Sequence, residues 1–211
     1  MKNIFYMTLM ICTLFFLLSC SKKEESSDAP ASQTMTDSTG ASVSLDGTYK
    51  TACTINSIDN SSSTNTLVIS NTSTTNLYKL FSDNACATEK FDWSGTNSFA
   101  VGSSATASTG EAVTKITLTT VSAAATLYTD ALVTTYNASG AGHGYTDWVK
   151  GTAKSVIGLN WDGTDNSTEA AGKVFYDIWY ISGSTFKWGT ADDGDYSHYP
   201  TELGSQVFTK Q

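Results

Sequence analysis

The sequence predicts an all-β domain, an antiparallel up-and-down barrel of about eight to ten strands that follows a disordered tether. The chain is rich in Thr, Ser, Val, Tyr and Trp, which suit a pleated, half-buried surface, and it has only 2 Pro in 211 residues. Short apolar alternations recur at intervals of about 8–15 residues and end at Gly, Asn or Asp, which form turns. After residue 20, no segment carries an apolar face with helical spacing over three turns. These observations together favour strands throughout the domain.

The predicted strands follow one another closely, which favours a meander because consecutive strands tend to pair. They cover residues 49–55, 66–70, 77–81, 113–121, 125–136, 148–161, 173–181, 185–188 and 206–210. Residues 88–93 and 98–101 are predicted to form a further hairpin around the turn-like segment 94–97. Residues 173–181 are apolar on both alternating faces, so one face requires a covering loop or a partner surface.

An immunoglobulin-like sandwich is the alternative fold for such a run of short strands. That fold expects a Trp between its two core cysteines, and no Trp lies between Cys53 and Cys86. Closure into a barrel also removes exposed strand edges. The barrel is therefore favoured over the sandwich.

The N-terminal segment has the features of a secretory signal. Lys2 precedes an almost wholly apolar run, residues 4–18, which is too short and wrongly flanked for a membrane-spanning helix. The sequence Leu17-Leu18-Ser19-Cys20 resembles the lipobox of bacterial lipoproteins. The resemblance implies a diacylglycerol on the Cys20 sulfur, cleavage before Cys20 and a fatty-acylated amino group. An uncleaved membrane anchor with an incidental cysteine is the alternative.

The chain is thus predicted to have three parts. Residues 1–19 are a lipoprotein signal peptide, residues 20–44 are the lipidated Cys20 and a flexible polar tether, and residues 45–211 are the barrel domain. The lipobox implies a membrane partner through the lipid anchor, in the bacterial cell envelope. Ser21 favours the outer membrane, because Asp at that position argues for retention in the inner membrane of enteric bacteria.

Charge and cysteine content agree with export. The chain has a net charge of −8 and no Arg, so it lacks the basic surface that nucleic acids require, and no nucleic-acid partner is expected. Cys12 leaves with the signal peptide and Cys20 is lipidated. Cys53 and Cys86 remain as an even pair in an oxidising compartment, which predicts a disulfide. Two free buried thiols are the alternative.

Two short motifs resemble lipocalin-like barrels. Leu45-Asp46-Gly47-Thr48-Tyr49 resembles the Gly-x-Trp opening of that fold. With Cys53 and Phe81-Ser82-Asp83-Asn84-Ala85-Cys86, it is similar to a group of small bacterial lipoproteins of lipocalin-like shape. The resemblance implies that Tyr49 plugs the closed end of the barrel. Lipocalins cover this aromatic ring with a late-chain Arg, so another residue must cover it here.

The sequence carries no recognisable catalytic, metal or cofactor motif, and a non-enzymatic protein is predicted. His143 and His198 lie in separate segments, and His-Glu-x-x-His, Cys-x-x-Cys and Gly-x-Ser-x-Gly patterns are absent. Residues 140–144 lack the Lys-Ser/Thr of a phosphate loop. The acidic segments 162–166 and 192–195 read as solvated turns, with calcium binding as the less favoured alternative.

Large aromatic residues are the remaining functional signal. Trp148, Trp161, Tyr176 and Tyr180 are predicted to line a cup for a small hydrophobic ligand, although barrel filling also explains such rings. Ligand binding would need an open cavity of at least about 300 Å³. A surface-interaction or structural envelope module, such as an adhesin with an envelope-protein partner, would instead have a filled core. A hydrolase is the least favoured class.

Overall fold

The computed structural model describes residues 32–138, 144–159, 170–190 and 196–211. The strands in these ranges are β1 (Thr34–Thr36), β2 (Ser42–Ser44), β3 (Gly47–Thr51), β4 (Thr54–Ile55), β5 (Ser62–Ser70), β6 (Ser73–Phe81), β7 (Glu89–Thr106), β8 (Ala112–Leu127), β9 (Lys154–Ser155), β10 (Val174–Ser182), β11 (Thr185–Thr190), β12 (Glu202–Leu203) and β13 (Phe208–Lys210). A single helix, α1 (Asp130–Asn137), lies between β8 and β9 in the described part of the chain.

Eight of the described strands close into an antiparallel barrel. In the order β3, β5, β6, β7, β8, β10, β11 and β13, each strand pairs with the next, and β13 returns to pair with β3. Every pairing around the barrel is antiparallel. The predicted up-and-down barrel is therefore confirmed.

Strands β7 and β8 are longer than the sequence indicated. The predicted hairpin around 94–97 is wrong, because β7 continues through these residues and pairs with β8 along its length. Gly95 permits the close approach of the Trp93 ring, so this glycine reflects packing rather than a turn. A bulge in β8 leaves Val121 without a partner on β7. The alternation of buried residues therefore shifts by one, from Thr120 before the bulge to Ala123 after it.

The predicted strand 125–136 is also wrong beyond Leu127, where β8 ends, because α1 forms from Asp130 onwards. The Thr129 hydroxyl caps the helix by accepting a hydrogen bond from the Leu132 backbone N–H, at 3.3 Å, and Asp130 lies in the first turn. This short helix lacks the three-turn periodicity that a sequence pattern needs. Among the described residues, no helix combines the length and the apolar character needed to cross a membrane.

Residues 34–44, assigned to the flexible tether from the sequence, instead form the β1–β2 hairpin. Met35 is only 4% exposed and belongs to the same buried cluster as Leu45 and Ile181. The Ser38 backbone N–H donates to the Ile181 carbonyl oxygen at 3.0 Å. The hairpin therefore adds to the packed barrel core. A polar run with so few apolar residues gave no sign of this contact.

The packed end of the barrel is centred on Tyr49. Its ring is fully buried 5.2 Å from the Phe186 ring, and its hydroxyl donates to the Leu45 carbonyl oxygen at 3.0 Å. Burial, with a smaller effect of Asp46, raises the pKa of Tyr49 to about 12. The Lys210 Nζ atom lies 5.4 Å from the Tyr49 ring centroid. Lys210 thus provides a cation over this ring in a chain that has no Arg.

The predicted disulfide between Cys53 and Cys86 is confirmed, with the two Cα atoms 6.0 Å apart. It ties the segment after β3 to the turn between β6 and β7. Within this turn, the Asp83 carboxylate accepts hydrogen bonds from the backbone N–H groups of Thr88 at 2.6 Å, Ala85 at 2.8 Å and Ala87 at 3.1 Å. Hydrogen bonds from Thr88, Ala87 and Ala85 lower the pKa of Asp83 to about 2. Asp83 therefore fixes the turn that carries Cys86.

The outer face of β10 is covered by the chain itself. Tyr176 lies 4.9 Å from the Tyr199 ring, measured between ring centroids, and the buried Ile178 packs with Tyr199 and Leu203. The sequence left either a covering loop or a partner surface for the second apolar face of 173–181. The structure shows a covering segment of the chain, residues 196–203. The inward face of β10 then contributes to the interior of the barrel.

Candidate functional site

The barrel interior contains a cavity of about 200 Å³ beside the packed end. Strands β5, β6, β7, β8, β10 and β11 and the residue Tyr196 form its wall. The described lining residues are Leu67, Thr74, Asn76, Trp93, Asn97, Leu118, Phe175, Asp177, Trp179, Trp188, Gly189 and Tyr196. The wall is therefore mainly aromatic and aliphatic, with a small number of polar groups, as is typical of small-molecule sites.

Asp177 is the buried carboxylate of this wall. It is 8% exposed and accepts three hydrogen bonds from neutral N–H groups. Its Oδ1 atom accepts from the Ile178 and Gly189 backbones, both at 2.8 Å, and its Oδ2 atom accepts from Trp179 Nε1 at 2.9 Å. Burial raises the pKa of Asp177 to about 7, against the opposing effect of these hydrogen bonds. The carboxyl group can therefore change its charge near neutral pH.

Gly189 is required for this arrangement because of its close approach to Asp177. A Cβ atom at this position would lie 2.8 Å from Asp177 Oδ1, 2.8 Å from Ile178 Cγ1 and 3.0 Å from Pro200 Cβ. Any larger side chain would push the carboxylate and the Gly189 N–H apart. The glycine thus holds the third donor to Asp177 in place.

Two further polar atoms of the lining residues lack partners. Asn76 Oδ1, an acceptor, and Trp93 Nε1, a donor, are buried without a hydrogen-bond partner among the described residues. A buried polar group left unpaired costs about 1–3 kcal/mol.

The cavity volume limits the size of any occupant. Sites for drug-sized ligands measure about 300–1,000 Å³, whereas an engineered apolar cavity of about 150 Å³ binds benzene. At about 200 Å³, this cavity is smaller than the sequence-based expectation for a ligand-binding barrel. It matches a molecule of one ring with a small substituent.

Three of the four aromatic residues singled out from the sequence, Trp148, Tyr176 and Tyr180, do not line this cavity. Trp148 is buried between Tyr136 and Tyr145, with ring centroids 5.8 and 5.6 Å away, in a cluster that packs on the ends of β7 and β8. Tyr176 and Tyr180 lie on the outer face of β10, beside the covering segment. Trp161 lies outside the described residues. Of the other three rings, Trp148 packs in a different cluster from Tyr176 and Tyr180.

Among the cavity residues that the sequence analysis missed, one has a recognisable sequence feature. Asp177 is the single charged residue within the otherwise apolar run of β10, Val174–Ser182. A carboxylate inside a strand that is covered on both faces is costly unless it is compensated. Trp93, Trp179 and Trp188 could be recognised as aromatic, but their shared wall depends on the pairing of distant strands.

The described residues contain no group of three or more His, Cys, Asp or Glu placed to hold a metal ion. His143 and the acidic segments 162–166 and 192–195 lie outside the described ranges. The sequence matches no protein-family model, and comparison with curated proteins found no match. The proposed function therefore rests on the geometry of the cavity.

Proposed function

We propose that the protein is a lipid-anchored lipoprotein of the bacterial cell envelope whose barrel binds one small, mostly apolar ligand. The observation that carries the binding proposal is the aromatic cavity with two unpartnered polar atoms, Asn76 Oδ1 and Trp93 Nε1. A ligand with one ring and a small polar substituent would fill this volume and contact the aromatic wall. The site would hold its ligand without a chemical step.

The location rests on the sequence. Signal-like residues 1–19 and the lipobox cysteine, Cys20, support a lipid anchor, and Ser21 supports sorting to the outer membrane. A tether between the anchor and the barrel would let the domain sample small molecules at the membrane surface.

Native mass spectrometry of the intact protein purified from its own host tests the binding proposal. A retained molecule of about ten non-hydrogen atoms is expected, since a cavity of this size accommodates one substituted ring. Trp93→Phe changes the aromatic wall of the cavity and should reduce retention of this molecule.

Trp148→Phe is the matched control for this experiment. Its Nε1 atom is also buried without a partner among the described residues, but Trp148 does not line the cavity. The control should retain the molecule as the unaltered protein does. Absence of any retained molecule, or equal loss in the two variants, would contradict the proposal.

A second candidate function is a surface-interaction module of the envelope. It is favoured by exposed apolar residues in the segment around β4, where Ile58 is 92% and Ile55 is 56% exposed. Substitution of both by Ser should abolish co-purification of an envelope protein without lowering the free energy of unfolding. Unchanged co-purification would exclude this segment as the interface.

A further inference from the structure

We propose that the cavity selects a small organic ammonium ion, with Asp177 as its counter-charge and the surrounding rings as its wall. This inference rests on the proposed function, because it specifies the ligand class of the same cavity. It follows from three features of the lining: its rings, its single negative charge and the unused acceptor capacity of that charge.

The rings of the wall suit a cation. Trp93, Phe175, Trp179, Trp188 and Tyr196 all line the cavity. A cation within about 6 Å of an aromatic ring centroid is attracted by the negative ring face, and this attraction is strongest at desolvated Trp. Several rings around a cationic group form the aromatic cage by which proteins bind substituted ammonium ions.

The rings are also held in place before any ligand arrives. The Trp179 ring centroid is 5.2 Å from Phe99 and 5.3 Å from Phe186, and the Trp188 centroid is 4.5 Å from Phe208. Phe99, Phe186 and Phe208 are themselves buried in the core. A wall already fixed in position loses little conformational entropy when it binds a ligand.

Asp177 gives the cavity a negative charge, with no cation opposite it among the described residues. It is the only Asp, Glu, Lys or His among the described lining residues. None of the ion pairs formed by described residues includes it. Lys115 and Lys187, on the two neighbouring strands, are in register with Ile178 and Tyr180 and so lie on the opposite face of the sheet.

A buried carboxylate of this kind is stabilised by a cationic ligand. Charged groups away from water are costly unless they are paired, and the three hydrogen bonds of Asp177 come from neutral donors. Burial raises the pKa of the group to about 7, as expected for a carboxylate without a cation beside it.

The carboxylate can accept a further hydrogen bond. Each carboxylate oxygen has two acceptor positions. Oδ1 uses both for Ile178 and Gly189, whereas Oδ2 uses one for Trp179. An ammonium N–H can therefore donate to Oδ2 while the apolar part of the ligand contacts the rings.

Two ligands of equal size that differ in charge test the inference. The intact protein is titrated with benzylammonium and with benzyl alcohol, and binding is followed by tryptophan fluorescence and calorimetry above pH 7. Benzylammonium should bind at least about tenfold more tightly, because only the cation gains the charge pairing and the cation–π attraction.

Two variants locate the effect. Asp177→Asn should weaken benzylammonium binding at least about tenfold and change benzyl alcohol binding by less than about twofold. Asp130→Asn makes the same change in net charge at an exposed ion pair on α1, and it should leave both affinities unchanged.

Each result has a defined consequence. Equal affinity for the two ligands would overturn the ammonium inference and leave the proposed binding function standing. Failure of both ligands to bind at about 10 mM would also overturn the inference. The proposed binding function is tested separately, by whether the protein purified from its host retains a molecule in native mass spectrometry. If Asp177→Asn does not fold, the comparison of the two ligands on the unaltered protein still decides.

Discussion

The two halves of the barrel interior share strands but differ in how completely they are filled. The packed half, around Tyr49, Phe186 and Phe208, has fully buried rings, and the one polar atom of Tyr49 is hydrogen-bonded. The cavity half, around Trp93 and Asp177, keeps an open volume, a buried carboxylate and unpartnered polar atoms. Protein interiors are normally close-packed and polar groups normally paired. The difference indicates that the cavity half retains features that cost stability, as binding sites do.

The largest expected effect concerns the packed half. Phe186→Ala should lower the free energy of unfolding by about 3–5 kcal/mol, because a fully buried ring is replaced by an empty volume. Urea unfolding followed by tryptophan fluorescence measures this change. Leu118→Ala, at the cavity wall, should cost nearer 2 kcal/mol, since part of that side chain already faces open space. Equal losses at the two positions would remove the distinction between the halves.

The pH dependence of stability tests the buried charge. Because the pKa of Asp177 is raised from 3.8 to about 7, the folded state binds this proton more tightly than the unfolded state. The free energy of unfolding should therefore fall as pH rises from about 4 to about 7, by at most about 4 kcal/mol from this group. Denaturant unfolding across this range, compared with Asp177→Asn, isolates the contribution.

Asp83 should give a pH dependence of stability opposite in sign to that of Asp177, within the same chain. Its pKa is lowered to about 2, so it stabilises the fold above its unfolded pKa of about 4, and this stabilisation is lost as pH falls towards 2. Asp83→Asn should thus lower the free energy of unfolding by a constant amount between pH 4 and 7, and it should alter the pH dependence only below about pH 4. A flat profile between pH 4 and 7 that Asp177→Asn does not alter would contradict the assignment of a buried, uncompensated carboxylate.

The smallest expected effects concern single polar atoms, and their signs should differ between the halves. Asn76→Leu should raise the free energy of unfolding by about 1 kcal/mol, because it removes a buried carbonyl oxygen that has no partner. Tyr49→Phe should lower it by about 1 kcal/mol, because the Leu45 carbonyl loses its hydrogen bond in the packed half. Thermal unfolding of both variants checks the contrast, and destabilisation by Asn76→Leu would argue against an unsatisfied cavity wall.

The barrel could be predicted from sequence because strand alternation is a local pattern, and the pairing of consecutive strands then leaves few topologies. Local turn chemistry was misleading where tertiary packing overrode it, as at Gly95, which makes room for Trp93 within a continuous strand. The cavity could not be predicted, because Trp93, Asp177 and Trp188 meet only after the four strands β7, β8, β10 and β11 have found their register. Likewise, the packing of Met35 depends on a contact across most of the chain.

Structure determination of the intact protein purified from its own host, without added ligand, tests the central claim most directly. The account predicts density for a one-ring molecule in the cavity, in contact with the aromatic wall and with Asp177. A cavity filled by the protein's own side chains, without density for a further molecule, would contradict it.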